Sequence, residues 1–154
     1  MYSFKKTINI LIKNNISVST AESCTGGLLS YSFIKHKGVS KIFDTGLICY
    51  SNDSKSKLLK ININIIKKYG AVSSFIAKKM SENLYKITGS DISISTTGIA
   101  GPGGKSQNKP IGLVYICIKF KNKFLIYKKK FKGTRIEIQK KTVNFVFKEI
   151  YKLI

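Results

Sequence analysis

The sequence predicts an α/β fold, a three-layer α/β/α sandwich built on a mixed sheet of about five strands. Three observations support this class. Segments with helical periodicity alternate with short β-like runs, turn and cap signals separate them, and the 154 residues contain neither internal repeats nor a low-complexity linker. A chain of this length is expected to form one domain, residues 1–154, and to bury roughly 68–70% of the surface of its unfolded state.

In the first half of the chain, helices and strands are predicted to alternate. Apolar residues at Phe4, Ile8 and Leu11 have the spacing of one helical face, and Gly70 is typical of a helix end. In order, the elements are a helix over 2–14, a strand over 16–21, a helix over 26–35, a strand over 41–50, a short helix capped by Asn52 or Asp53 and ending at Leu59, a turn over 61–69, and a helix from Val72 to about Thr88.

The second half is predicted to complete the sheet and to add a last helix. Ile92 and Ile94 alternate with polar residues, as in a strand, and Lys121-Asn122 lies between two β-like runs, which favours an antiparallel hairpin. In order, the elements are a strand over 91–97, a loop rich in glycine and proline over 98–109, a hairpin of 111–120 and 123–131, and a helix over 134–153.

The charge balance is strongly basic, with 28 Lys and Arg residues against 7 Asp and Glu, a formal net charge of +21. Such a field attracts polyanions. However, Arg135 is the only arginine, the lysines are scattered, and no surface of aromatic residues and arginine typical of RNA readers is evident. Because the chain is also rich in Ile and Asn, which share AT-rich codons with Lys, we interpret the charge as compositional drift and predict no specific nucleic-acid partner.

Composition also bears on compartment and cofactors. No apolar run reaches the roughly 18 residues that span a bilayer, and the N-terminus lacks the continuous apolar core and cleavage site of a signal peptide, so a cytoplasmic protein without a membrane partner is expected. Cys24, Cys49 and Cys117 lie far apart and His36 is the only histidine, a composition that favours free thiols. We therefore expect no metal and no cofactor.

The segment from Thr20 to Gly27 (TAESCTGG) leads from the first predicted strand into a helix and is the first candidate site. Turns of this kind aim main-chain N–H groups and a hydroxyl at one point, where an anion or a developing oxyanion can sit. Ser23 is the candidate nucleophile, although a serine here is also typical of a simple helix cap.

A serine nucleophile needs a base. His36 lies between two lysines at a predicted solvated helix end, so a Ser-His-Asp triad is not expected. Lys55 falls in the first turn of the helix after the second strand, where the helix dipole disfavours an ammonium and partial burial would lower its pKa further. It is the candidate base, and the alternative is an exposed lysine like the others.

A second loop, from Thr96 to Gly104, is also rich in glycine. In one interpretation, its N–H groups and the hydroxyls of Thr96 and Thr97 surround a phosphate or an oxyanion. In the other, the loop is only a long surface turn. It has neither the Walker A spacing nor the G-x-G-x-x-G pattern, so binding of ATP or of a dinucleotide is not predicted.

Taken together, these segments resemble the CinA C-terminal domain family, the nicotinamide-nucleotide amidases. The resemblance rests on TAESCTGG (20–27), YSNDSKSKLL (50–59), GAVS (70–73), and TGIAGPGG (97–104) with KPIG (109–112), and it runs in order through nearly the whole chain. It implies a three-layer α/β/α fold and hydrolysis of the carboxamide of nicotinamide mononucleotide to nicotinate mononucleotide and ammonia, by a serine and a lysine without metal.

The resemblance also implies roles for individual residues. Ser23 is the nucleophile, Lys55 the base, and Tyr50 assists the lysine through a hydrogen bond. Arg135 is the expected partner of the substrate phosphate, whereas a second basic position of the family is Gln139 here, which weakens a two-arginine clamp. The residues expected to bind substrate or stabilise the oxyanion are Cys24, Thr25, Gly26, Gly27, Thr97, Gly98, Gly101, Gly103 and Arg135.

Two other functions remain open from the sequence. The family name refers to competence and DNA damage, so the alternative is a non-catalytic, nucleotide- or nucleic-acid-binding regulatory module. In the second of these hypotheses the protein is still an amidase, but its substrate is another pyridine nucleotide or a small carboxamide. Many family members also carry an N-terminal domain associated with pyrophosphatase activity; these 154 residues contain no such segment and no such activity is expected. A homo-oligomer, in the simplest case a dimer, is the expected assembly.

Overall fold

The computed structural model describes residues 1–154 and contains one sheet of five strands and six α-helices. The strands are β1 (Val18–Glu22), β2 (Phe43–Ile48), β3 (Ile92–Gly98), β4 (Leu113–Phe120) and β5 (Lys123–Lys130). The helices are α1 (Phe4–Lys13), α2 (Leu28–Ile34), α3 (Asn52–Leu59), α4 (Ile63–Tyr69), α5 (Ser74–Thr88) and α6 (Arg135–Leu153), and a short 3-10 turn spans Val39–Lys41.

The sheet is mixed, in the order β2-β1-β3-β4-β5. β1 pairs in parallel with both β2 and β3, whereas β4 and β5 are added antiparallel as a hairpin. In the register, Glu22 lies opposite Ile48 of β2 and Thr96 of β3. The carboxyl ends of three strands therefore meet at one edge of the sheet, where ligand sites of open α/β sheets form.

Two hydrophobic clusters cover the two faces of the sheet and confirm the three layers. The larger cluster packs α1, α2 and α6 on one face, with Phe33 and Phe147 at 4.4 Å between ring centroids. The smaller cluster packs α3, α4 and α5 on the other face through Leu59, Ile66 and Met80. No helix combines the length and the hydropathy that a bilayer-spanning segment needs.

Side-chain caps explain where most of the helices begin. Ser3, Ser51, Ser73 and Thr134 each accept a hydrogen bond from a main-chain N–H in the first turn of α1, α3, α5 and α6, respectively. The expected cap of α3 was therefore wrong by one residue or two, because Ser51 and not Asn52 or Asp53 forms a capping box, with Ser54.

The order and type of the predicted elements are confirmed, with one exception and small shifts at the ends. Residues 61–69, predicted as a turn, contain the helix α4, which Asn62 caps through its side chain. Gly98, placed in the loop by its sequence neighbours, is the last residue of β3, where it pairs with Val114. A Cβ at Gly98 would lie 2.6 Å from the carbonyl oxygen of Leu113, so only glycine fits this close approach between strands.

Candidate active site

A cavity of about 480 Å³ opens at the carboxyl ends of β1, β2 and β3. Segments from four parts of the chain line it: the turn after β1, the start of α3 with the preceding Tyr50, residues 71–72, and the glycine-rich loop after β3. Arg135, the first residue of α6, completes the wall. Of the residues predicted for the site, the lining includes Ser23, Cys24, Tyr50, Lys55, Thr97, Gly98, Gly101, Gly103 and Arg135.

Ser23 and Lys55 meet at the base of this cavity. The Nζ atom of Lys55 lies 3.0 Å from the Oγ atom of Ser23, although the two residues are 32 positions apart in the chain. The exposed fractions are 7% for Ser23 and 2% for Lys55, so the contact is nearly shielded from solvent. The structure thus brings together the serine and the lysine that the sequence had selected separately.

The environment of Lys55 is polar but contains no carboxylate partner. Its Nζ donates to the carbonyl of Cys49 at 2.9 Å and lies 3.5 Å from the carbonyl of Tyr50, and it forms no salt bridge. Burial lowers the pKa of Lys55 from its ordinary value of 10.5, and the nearby thiols of Cys49 and Cys24 offset this effect only in part. A lowered pKa increases the fraction of a lysine that is present as the neutral amine, the form that can accept a proton.

Glu22 holds the turn that presents Ser23. Its buried carboxylate accepts hydrogen bonds from the main-chain N–H groups of Gly27, Leu29 and Ser30 and from the hydroxyl of Ser30, at 2.6–3.1 Å. It therefore occupies the N-terminus of α2, a position that favours a negative charge. Glu22 belongs to the motif TAESCTGG, but no role was predicted for it. The sequence signal for its role as a cap is an acidic residue shortly before a helix whose N-cap, Gly27, has no side chain.

The role expected for the main-chain N–H groups of Gly26 and Gly27 was wrong in this structure. The N–H of Gly26 donates to the carbonyl of Ser23, and that of Gly27 donates to Glu22. Neither glycine lines the cavity. The N–H groups of Cys24 and Thr25 have no acceptor within the protein, so these two are the free donors next to Ser23.

The hydroxyls of the threonines serve mainly to join the strands. The hydroxyl of Thr96 lies 2.8 Å from that of Thr25, and both residues are buried outside the cavity lining, which contradicts the interpretation that the hydroxyl of Thr96 contacts a phosphate or an oxyanion. Thr97 lines the cavity, but its hydroxyl donates to the carbonyl of Ala71. The thiol of Cys24 is buried, and burial raises its pKa to about 12.

Tyr50 does not contact Lys55 through its hydroxyl, contrary to the expected hydrogen bond. Its side chain is 61% exposed, and its hydroxyl accepts a hydrogen bond from the guanidinium of Arg135 at 2.7 Å. Arg135 also donates to the carbonyl of Gly101 at 2.8 Å. The arginine therefore joins the two sides of the cavity mouth, and Tyr50 approaches Lys55 only through its main-chain carbonyl.

The glycine-rich loop presents a row of free donors. The N–H groups of Ala100, Gly101, Gly103 and Gly104, all in the cavity lining, have no acceptor within the protein. Successive free N–H groups form a concavity that suits an anion. Because Arg135 lies at the same wall, the loop and the arginine together form a part of the cavity that suits an anion.

Sequence reasoning missed several contributors to the site. Asn52, Ala71 and Val72 also line the cavity, whereas Ile99, Ala100, Pro102 and Gly104 belong to the loop that was predicted as a whole to position the substrate. Ala71 and Val72 belong to the segment GAVS, which carried the resemblance but received no role. Gln139, noted only as a departure from the family, donates through its side-chain amide to the carbonyl of Cys24 at 2.9 Å, 115 positions away, and so connects α6 to the turn that presents Ser23.

Comparisons with known sequences agree with the motif analysis. The profile of the CinA C-terminal domain matches residues 3–154. A relative from Clostridium novyi (strain NT), named as a competence-damage inducible protein, is 55% identical over 112 residues, which cover 71% of this chain and 27% of that protein. A CinA-like protein from Fusobacterium nucleatum is 42% identical over 139 residues, which cover 90% of this chain and 34% of that one. The chain thus spans about a third or less of these relatives.

Solved structures match the fold over nearly its whole length. The competence/damage inducible protein CihA from Agrobacterium tumefaciens superimposes with a TM-score of 0.90 at 32% identity, covering 97% of this chain and 94% of that one. The competence damage-inducible protein A from Klebsiella pneumoniae gives a TM-score of 0.92 at 25% identity, covering 98% and 96%. The architecture of this chain is therefore that of a known group of structures.

Replacing Glu22 with glutamine is expected to destabilise the protein by about 3 kcal/mol, because a carboxamide has one acceptor oxygen and leaves buried donors of α2 without a partner. Equilibrium unfolding in urea measures this change. The matched control is Glu137→Gln, which alters another carboxylate bonded to a helix N-terminus, that of α6, at an exposed position and should leave the midpoint nearly unchanged. An equal loss in the two variants would show that Glu22 has no special role.

Proposed function

The chain belongs to the CinA C-terminal domain family, and within it we propose that this protein hydrolyses the carboxamide of nicotinamide mononucleotide to nicotinate mononucleotide and ammonia. The observation that carries the proposal is the buried contact of 3.0 Å between Lys55 Nζ and Ser23 Oγ, with no carboxylate to hold the lysine as an ammonium. A hydroxyl beside a neutral amine is the arrangement that a serine amidase without histidine requires.

The hydrogen bonds of Lys55 suit a general base. A neutral amine has two hydrogens and one lone pair, and the carbonyls of Cys49 and Tyr50 are the acceptors on the protein side. With both hydrogens directed to these carbonyls, the lone pair faces Ser23 Oγ. Lys55 then takes the hydroxyl proton while the oxygen of Ser23 bonds to the carboxamide carbon.

The tetrahedral intermediate carries a negative oxygen that needs donors. The free N–H groups of Cys24 and Thr25 follow Ser23 directly and are the nearest unused donors along the chain. Gln139 holds the carbonyl of Cys24, and thereby the peptide plane that contains the N–H of Thr25. Main-chain donors held in this way stabilise the oxyanion without reorganisation during the reaction.

The intermediate collapses when the carbon–nitrogen bond breaks. Lys55, now protonated, gives its proton to the leaving nitrogen, so ammonia departs and an ester joins the nicotinate carbonyl to Ser23. Lys55 is then neutral again and takes a proton from water, which attacks the ester. The proton returns to Ser23 Oγ as nicotinate mononucleotide leaves, so the enzyme ends in its starting state.

The glycine-rich loop and Arg135 are suited to the phosphate of the substrate. Four free N–H groups and a guanidinium on one wall supply donors for a dianionic group. The guanidinium would exchange its bonds to Tyr50 and Gly101 for bonds to phosphate oxygens. A cavity of about 480 Å³ is in the size range of small-ligand sites.

Ser23→Ala and Lys55→Ala are each expected to lower the rate of ammonia release from nicotinamide mononucleotide by about 1,000-fold or more, because either change removes the dyad. The matched control is Lys57→Ala, an exposed lysine on the same helix, which should retain the activity of the parent. If folded parent protein releases no ammonia, the amidase proposal fails; if only Lys55→Ala stays active, the proposal of the dyad fails.

The activity is expected to rise with pH through the lowered pKa of Lys55 and then to level off, because only the neutral amine accepts the proton of Ser23.

In the unfolded chain the lysine regains its ordinary pKa, so the unfolded state binds more protons between the two pKa values and the free energy of unfolding increases with pH across that window. Lys55→Met removes this group. Lys55→Met is therefore expected to have a higher free energy of unfolding than the parent, and urea unfolding at several pH values should show that this difference shrinks as the pH rises. A difference that does not change with pH would contradict the lowered pKa of Lys55.

Arg135→Ala is expected to raise the KM for nicotinamide mononucleotide by about 10-fold or more, the equivalent of one hydrogen bond to a charged group. The same variant should act on nicotinamide riboside, which lacks the phosphate, much as the parent does. Steady-state kinetics with the two substrates measures the difference. An equal rise in KM for both would show that Arg135 serves the shape of the cavity and not the phosphate.

A further inference from the structure

A second cavity, of about 430 Å³, lies at the end of the sheet opposite to Ser23. It is lined by the ends of α1 and α5 and by the hairpin between β4 and β5. Lys119, in this lining, pairs with Ser93 near the start of β3, whereas Ser23 donates its N–H to Thr96 near the end of that strand. The two cavities share no residue, so the reaction proposed above leaves this one without a role.

Lys119 is a buried lysine without an acidic partner. It is only 7% exposed and forms no salt bridge. Its Nζ atom donates to the carbonyl of Lys121 at 2.7 Å and lies 3.4 Å from the centroid of the Tyr85 ring. An ammonium has three hydrogens, so the carbonyl and the face of the ring leave one of them without an acceptor in the protein. Because buried charges are stabilised by pairing, this end of the cavity suits an anionic group.

The hairpin turn adds further donors at the same end. Lys121 and Asn122, which connect β4 to β5, both line the cavity. Their main-chain N–H groups have no acceptor within the protein. Together with the ammonium of Lys119, these groups match the acceptor oxygens of one carboxylate.

A different part of the lining favours a positive charge. One oxygen of the Asp91 carboxylate accepts hydrogen bonds from the N–H and the hydroxyl of Ser17, at 2.8 and 2.9 Å, and the other accepts none from the protein. Helices α1 and α5 both end at this cavity, with Asn14 and Gly89 as their C-caps. The C-terminal end of a helix carries a partial negative charge, which adds to that of the carboxylate.

The opposite charges in this lining do not neutralise each other. Asp91 forms no salt bridge with Lys119 or Lys121, although all three line the same cavity. A simple anion would be repelled by Asp91, and a simple cation would be repelled by the lysines. A ligand that carries both charges can pair with each side. The lining also includes the apolar side chains of Ile16 and Phe120, which suit a small apolar group on such a ligand.

We propose that this second cavity binds a free α-amino acid as its zwitterion. The carboxylate of the ligand accepts hydrogen bonds from the ammonium of Lys119 and from the N–H groups of Lys121 and Asn122. The ammonium of the ligand pairs with Asp91 near the ends of α1 and α5. A volume of about 430 Å³ is in the size range of small-ligand sites.

Ligand-observed NMR with pools of free L-amino acids, followed by calorimetric titration of the amino acid that gives the strongest signal, tests the proposal. The N-acetyl derivative of that amino acid lacks the positive charge, and its amide lacks the negative one. Each derivative is expected to bind about 10-fold more weakly or worse, the equivalent of one hydrogen bond to a charged group.

Two variants locate the binding. Lys119→Met removes the ammonium and keeps an unbranched buried side chain, and Asp91→Asn removes the negative charge and keeps an acceptor for Ser17. Each is expected to weaken binding by about 10-fold or more. The matched control is Lys78→Met, which alters a lysine whose Nζ also faces an aromatic ring, that of Phe124 at 5.0 Å, but outside this cavity. It should bind the amino acid as the parent does.

Circular dichroism establishes that each variant is folded. Absence of amino-acid binding to the folded parent would overturn the proposal. Equal affinity for the N-acetyl derivative would also overturn it, because the site would then recognise a plain anion. Binding that survives both Lys119→Met and Asp91→Asn would place the ligand elsewhere on the protein. All these measurements record binding and not turnover, so their outcome does not depend on whether the protein is an amidase.

Discussion

The burial of Lys55 without a carboxylate is the constraint on which the site depends. An ammonium in this position would lose most of its hydration and gain only neutral oxygens, two carbonyls and the hydroxyl of Ser23, in return. Burial therefore shifts Lys55 toward the neutral amine, and below its ordinary pKa this shift lowers the free energy of unfolding. Of the 28 basic residues only Lys55 and Lys119 are buried, and of these two only Lys55 contacts a serine hydroxyl, which distinguishes it from the others more clearly than any local sequence pattern.

The buried carboxylate of Glu22 serves the opposite purpose. Its four hydrogen bonds compensate for its burial and tie the end of β1 to the first turn of α2. The adjacent Ser23 is held on the other side, since its N–H donates to the carbonyl of Thr96 on β3. Ser23 thus lies in a turn with both flanks fixed, while only the N–H groups of Cys24 and Thr25 remain unused. The rigidity of the site comes from strand ends and a helix cap, not from the side chain of Ser23 itself.

Much of the fold could be predicted because its signals are local. The period of the apolar residues separated helices from strands, and the serine and threonine caps lie within three residues of the N–H groups that they bind. The misassigned turn at 61–69 illustrates the limit, because α4 has only seven residues and depends on packing of Ile66 against α5 and α3. The role of Tyr50 was also beyond reach, since its hydroxyl is bonded to a residue 85 positions away.

The sequence by itself determined the types of the elements, the order of the motifs, and the choice of Ser23 and Lys55, because each follows from residues that are neighbours in the chain. Only the tertiary structure decided which groups meet. The parallel register of β1 with β2 and β3 brings Ser23, Lys55 and the glycine-rich loop to one edge of the sheet. Packing of α6 on the opposite layer then delivers Arg135 and Gln139 to the same cavity and turn. These contacts join segments that are far apart in the chain, so they cannot be predicted from the pattern of residues that are neighbours in the sequence.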